Sequence, residues 1–207
     1  MFNLTDETVQ ADGRKPIFPL GISEGNELTS VEKSMSDASK GESVPYLVYT
    51  FTHSDGSQVK KFEFGPKDSD KQNDPEAWAK KVKNITKRTK HILSKFGVDM
   101  FNAPDFNTLA DNVVAVLNGK TNGIKLRVKT TYDYQGKYIS IPSYLPFVEL
   151  QTEAPTKLRI QSEEQGGIDK MTRAEEDNDS SIMANLATPV SAAPAATNSS
   201  ADSGLPF

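Results

Sequence analysis

An Asp-Gly pair at 55–56, set between two runs of aromatic and β-branched residues, restricts the fold of this 207-residue chain more than any other feature. Tyr46-Leu47-Val48-Tyr49-Thr50-Phe51-Thr52 leads into the turn Ser54-Asp55-Gly56-Ser57. Gln58 to Phe64 returns, with Phe62 and Phe64 on one face. Glycine accepts the positive φ that a tight turn requires, so this segment reads as an antiparallel hairpin.

The flanking segments fill in the pattern. A first strand is expected from Glu27 to Ser36, followed by a soft loop over 37–43. Residues 1–26 read as an extended segment, because Gly13, Pro16, Pro19, Gly21 and Gly25 interrupt any periodicity; Phe18 and Ile22 are its expected anchors. After Gly65-Pro66 and a charged loop, Asp74 caps a helix with Pro75 in its first turn. Trp78, Val82, Ile85, Ile92 or Leu93, and Phe96 form its apolar stripe, ending at Gly97. Lys80, Lys83, Lys87 and Lys90 share one face, and Lys81, Arg88 and Lys95 form a second stripe. A second helix is expected over Pro104–Asn118, burying Phe106, Leu109, Val113 and Leu117. From Ile124 to Tyr134 the pattern alternates, with Lys125, Arg127 and Lys129 pointing one way and Leu126 and Val128 the other. Gln135-Gly136 turns the chain, and Lys137 to Ile141 returns.

Strand, hairpin, helical insertion and second hairpin make a mainly β chain of the α+β class. Five strands with one or two helices between strands 3 and 4 is the layout of an OB-fold barrel, placed here over residues 27–155. Past Pro155 the apolar content fades, and 156–207 reads as a disordered acidic tail. From Gln161 onward eight acids face only Lys170 and Arg173, giving −6 and leaving +2 for the first 160 residues. A mildly basic body with an acidic tail suits a nucleic-acid-binding protein.

The absence of cysteine removes disulfides, thiolate zinc sites and cysteine nucleophiles. His53 and His91 stand at no metal-ligand spacing, no glycine loop cradles phosphate, and the tail acids are scattered. No enzymatic activity, metal or cofactor is expected. No apolar run reaches membrane-spanning length and no leader opens the chain, so a soluble, cytoplasmic protein is expected.

The chain closes on Asp202-Ser203-Gly204-Leu205-Pro206-Phe207, and Phe207 is the one aromatic residue beyond position 160. A β-rich body, an acidic tail and a final Pro-Phe together resemble the single-stranded DNA-binding proteins. Bacterial members end in an acidic stretch and a short apolar tip closing in Pro-Phe. Phage members carry OB domains with a helix in the same interval and acidic tails ending in an aromatic residue. Only Asp202 is acidic within the last nine residues here, and the first strand lacks the bacterial opening sequence, so the phage type is the nearer analogy. The resemblance implies binding of single-stranded DNA in replication, recombination or repair, in the host cytoplasm if the chain is phage-encoded. It also implies recruitment of a polymerase, helicase, primase or nuclease through Asp202, Leu205, Pro206 and Phe207. Oligomeric state stays open, self-association included.

Single-strand binding without sequence preference needs cations that track phosphates and flat side chains that stack on bases. The cationic candidates are Lys60, Lys61, Lys125, Arg127, Lys129 and Lys137. The aromatic candidates are Tyr132, Tyr134 and Tyr138 around the second turn, with Tyr46, Tyr49, Phe51 and Phe62 on the first hairpin. Tyr132 and Tyr134 share the parity of Leu126 and Val128 and fit either stackers or core; Tyr49 and Phe51 fit the core better. Neutralising Lys125, Arg127 and Lys129 should flatten the salt dependence of binding. The competing reading is a non-enzymatic phage structural or adaptor protein that docks a partner through its tail.

Overall fold

A computed structural model describes residues 16–99 and 101–174. The Asp-Gly hairpin forms where the sequence places it. Strand β2 (Pro45–Thr52) and β3 (Gln58–Phe64) pair antiparallel from Tyr46↔Phe64 to Thr52↔Gln58. Gly56 takes φ 85°, its N–H donates to His53 O at 2.9 Å, and Asp55 accepts from Ser57 N at 2.8 Å.

Strand β1 (Gly21–Met35) begins six residues before the expected Glu27 and is 15 residues long. Its second half pairs with β2, from Glu27↔Thr52 to Met35↔Pro45, and its first half pairs with β4 (Leu126–Tyr132). A register shift between Ser23 and Asn26 bends the strand from one partner to the other, with Gly25 at φ 73°. Asn26 fills that irregularity: its fully buried amide donates to Ser23 O at 2.8 Å and Leu126 O at 3.3 Å. Gly21 and Gly25, which break the sequence periodicity, are thus part of a strand. Phe18 is buried as expected, but Ile22 is 38% exposed.

Short strands β5 (Ile139–Ser140) and β6 (Val148–Leu150) both pair with β4. The result is a mainly antiparallel six-stranded sheet, ordered β3-β2-β1-β4-β5 with β6 on β4, and it is open. Three helices lie between β3 and β4: α1 (Asp68–Asn73), α2 (Pro75–Ser94) and α3 (Phe106–Leu117). Helix α1 occupies the charged loop of the sequence reading. Asp74 caps α2 by accepting from Ala77 N at 2.9 Å, and Asp105 caps α3 through Thr108 N at 2.7 Å. Among the described residues no helix is long and apolar enough to cross a membrane.

The core is built from Leu47, Tyr49 and Phe51 of β2, Ile92 and Leu93 of α2, Leu109, Val113 and Leu117 of α3, and Leu126, Val128 and Phe147. Each such side chain contributes about 1.5–3 kcal/mol on burial. The tail boundary read at 155 falls inside packed structure. Leu158 is buried, Lys157 N donates to Glu149 at 3.0 Å, Tyr132 N to Lys170 O at 2.8 Å, and Ala174 N to Gly136 O at 3.0 Å. This strap is held mostly by polar contacts, so hydropathy does not reveal it. Expected disorder beyond 174 and the first fifteen residues lie outside the described residues.

Candidate nucleic-acid interface

The pairing register decides which side chains share the outer face of β1, β2 and β3. Ser34, Tyr46 and Phe64 lie in one row, Glu32, Val48 and Phe62 in the next, and Ser30, Thr50 and Lys60 in the third. Phe62 and Phe64 are 48% and 46% exposed. Their ring centroids are 6.3 Å apart and nearly parallel at 21°, and Tyr46 sits 4.9 Å from Phe64. Lys60 is exposed at the end of this surface and has no side-chain partner among the described residues. The opposite parity of β3, Val59, Lys61 and Glu63, is buried. An antiparallel sheet with one wet face ordinarily presents polar residues there; this one presents three rings.

The hairpin joining β4 to β5 adds a second group. Gly136 turns it at φ 73°, and the Asp133 carboxylate accepts from Lys137 N at 2.9 Å and Tyr138 N at 3.3 Å. Some desolvation opposes ionisation of Asp133, but these and neighbouring backbone donors hold its carboxyl below the usual range. Tyr134 and Tyr138 project from this scaffold, 86% and 70% exposed, with Lys137 exposed between them. Tyr134 is therefore not core, and Tyr132 is half-buried.

The strand row of cations has other work. Lys125 pairs with Glu27 at 2.6 Å. Arg127 pairs with Glu24 at 2.6 Å and Glu149 at 3.1 Å, and also donates to Glu153 O. Lys129 is 3% exposed; it pairs with Asp169 at 2.8 Å, donates to Arg159 O at 2.7 Å and lies 4.7 Å over the Tyr144 ring. Asp169, fully buried, also accepts from Gln161 N and Tyr144 Oη. The three cations share a side of β4 as the alternation says; the strap and three carboxylates cover Arg127 and Lys129, while Lys125 stays exposed in its pairing with Glu27.

Lys61 is likewise withdrawn. Its ammonium donates to Ile141 O and Pro142 O and faces the Phe147 ring at 5.4 Å, and burial pushes its pKa down to about 8. Lys60, Phe62, Lys125, Tyr134, Lys137 and Tyr138 are thus the expected site residues that remain exposed, with Tyr46 and Tyr132 half-buried at their margin. Phe64 was missed as a stacker, although its alternation with Phe62 carries the signal. Tyr49 and Phe51 are core.

On α2, Lys80, Lys83, Lys87 and Lys90 are exposed and unpaired among the described residues. The second stripe is structural: Lys81 pairs with Asp70, Arg88 forms two bonds to Glu63 at 2.7 and 2.5 Å, and Lys95 pairs with Glu153. His91 packs edge-on against Phe147, and burial lowers its pKa; His53 bonds Asn26. Among the described residues no group of three or more His, Cys, Asp or Glu is placed to hold a metal ion. Asp202, Leu205, Pro206 and Phe207 lie outside the described residues. Comparison with protein-family models, curated proteins and solved structures finds no match to this chain.

Proposed function

We propose that the chain binds single-stranded DNA without strong sequence preference, on the outer face of β2 and β3 and the β4–β5 hairpin. The observation that carries this reading is the mutually packed triad of half-buried Tyr46 and exposed Phe62 and Phe64 beside Lys60, unpaired among the described residues. Rings so placed stack on bases, each stack contributing roughly 1–3 kcal/mol, while Lys60 and Lys137 meet phosphates. The finer fold reading is an OB-type barrel. It is supported by β1 pairing with both β2 and β4 and by helices entering between β3 and β4. In that fold the strand 2–3 face and the loop between strands 4 and 5 bind oligonucleotides, which is where the exposed rings lie. Partner recruitment through Asp202, Leu205, Pro206 and Phe207 belongs to the same reading and places the protein in replication, recombination or repair.

The test is fluorescence-anisotropy titration of labelled oligo-dT with the full chain at two salt concentrations, with duplex as competitor. Salt-sensitive binding that duplex does not displace is expected, because phosphate contacts release counterions. No binding at low salt refutes the reading and leaves an adaptor protein. Removing the last six residues should leave oligo-dT binding intact while abolishing partner contacts.

A further inference from the structure

Two stripes of cations run along α2, and they are held differently. Lys81, Arg88 and Lys95 each meet a carboxylate from outside the helix. Lys80, Lys83, Lys87 and Lys90 are exposed and meet none among the described residues. At 3.6 residues per turn these four fall within an arc of about 80°, on the side of α2 opposite the buried Ile85. Neighbours in the strip stand three or four residues apart, a spacing at which like charges repel. Glu76, the single acid of α2, lies at the foot of the strip and Ser94 at its head. We propose that this strip is a phosphate track, along which a single strand bound at the rings continues over α2 by charge alone.

The make-up of the strip selects the occupant. No apolar residue of α2 falls within its arc. A protein partner is held by apolar and aromatic anchors at the centre of an interface, where lysine is depleted. A nucleic-acid backbone needs only cations set along its path. From Lys80 to Lys90 the helix rises about 15 Å, and a strand with about 3.4 Å of axis per phosphate presents about four phosphates over that length. Position joins the strip to the rings. Arg88, in the adjoining stripe, donates to Ser143 O at 3.3 Å. Ser143 follows Tyr138 by five residues, so their Cα atoms are at most about 18 Å apart. Tyr138 is among the exposed rings of the β4–β5 hairpin. Residues 139–143 carry no charge, so no carboxylate of that segment opposes a strand passing from the hairpin to α2.

The track rests on the single-strand reading above, and the test keeps the two apart. Oligo-dT of about six and about twenty nucleotides, chosen around the roughly 4–16 that one OB-type fold covers, is titrated with the full chain across a salt series. The shorter strand is sized to the rings, and the longer one reaches α2. Four contacts at about 0.7 each should make the salt slope of the longer strand steeper by up to about 3. In the combined variant Lys80→Gln, Lys83→Gln, Lys87→Gln and Lys90→Gln that excess should vanish. The longer strand should then bind roughly tenfold or more weaker at low salt, with the shorter one unchanged. Glutamine keeps the helix propensity and relieves the repulsion, so thermal stability should hold or rise. An unchanged slope for the longer strand in this variant overturns the track and reduces the strip to a solvated face. Equal weakening of both lengths overturns it in favour of a diffuse field. Displacement of the longer strand by duplex from the native chain, but not from the variant, overturns it in favour of a duplex site. Phe62→Ala should weaken both lengths alike, and absence of binding by the native chain at either length refutes the single-strand reading and the track with it.

Discussion

Asp169→Asn should loosen the strap over β4 and, through its bonds at Tyr132 and Gly136, the base of the β4–β5 hairpin. Asp169 is fully buried and takes three donors, from Lys129, Tyr144 and the Gln161 amide. The substitution keeps the shape, removes the negative charge and leaves the Lys129 ammonium, 3% exposed, with only the Arg159 carbonyl and the Tyr144 ring. Breaking one side of a buried ion pair costs roughly 3–5 kcal/mol, which is a large share of the 5–15 kcal/mol that holds a typical domain folded. The strap can open before the body does, so the effect should first reach amides that bond to it or lie in it. Hydrogen exchange at Tyr132 N–H and Ala174 N–H should accelerate by roughly two to three orders of magnitude, at about 1.4 kcal/mol per tenfold. Urea denaturation should show a lower midpoint. The double variant Lys129→Met with Asp169→Asn should recover part of the loss, since it removes the unpaired ammonium and the Asn carbonyl still accepts from the Gln161 amide. Unchanged protection at both amides in Asp169→Asn would refute the clasp. Lys129→Met supplies the functional contrast: the salt slope of oligo-dT binding should stay as in the native chain, since this ammonium is buried against Asp169. A flattened slope in that variant would return Lys129 to the interface.

Phe62→Ala and Phe64→Ala should each weaken oligo-dT binding about 5- to 150-fold, the equivalent of 1–3 kcal/mol, with thermal stability little changed because both rings are half-exposed; a loss below twofold in both would remove the triad from the site. Lys61 titrates near pH 8 in the fold against about 10.5 unfolded, so the unfolded chain binds more protons between those values. Stability from this group therefore rises with pH across that window, by up to about 3 kcal/mol at 1.36 kcal/mol per unit; urea titrations from pH 7.5 to 10.5 should show this gain in the native chain and not in Lys61→Met. At Gly136, φ is 73° and an added Cβ would lie 2.9 Å from Ala174, so Gly136→Ala should detach the strap end and raise protease sensitivity between 170 and 174, and an unchanged digestion pattern would count against that contact.

Alternation and capping were legible in the sequence because both are local. The β2–β3 hairpin follows from Asp55-Gly56 and two β-rich runs, and β3 spans Gln58–Phe64 as read. Helix α2 follows from Asp74-Pro75 and the Trp78, Val82, Ile85 stripe. What alternation cannot say is which face is covered when the charged residues have partners distant in sequence. Lys129 and Asp169 are 40 positions apart, and Lys61 meets carbonyls 80 and 81 positions away. A period-two pattern groups Lys125, Arg127 and Lys129 correctly on one side and leaves Lys125 in solvent as read, but misassigns Arg127 and Lys129 to solvent. The long β1 escaped for a related reason: glycine breaks periodicity both in a loop and in a bulge, and only the paired strand tells them apart.

Strand β3 shows why the exposed rings argue for function. Its buried parity is Val59, Lys61 and Glu63, and its exposed parity is Lys60, Phe62 and Phe64. A one-residue slip would send Phe62 and Phe64 inward and Lys61 and Glu63 into water. By burial alone that arrangement is the better one, since each phenylalanine is worth about 1.5–3 kcal/mol inside and each charge costs several to desolvate. The register is nevertheless pinned. The Asp55-Gly56 turn sets the pairing, Arg88 binds Glu63 through two bonds, and Ile141 O and Pro142 O take the Lys61 ammonium. Two buried charge sites thus hold two phenylalanines outward beside Tyr46 and Lys60, and this is the feature that supports the proposed stacking surface for single-stranded DNA.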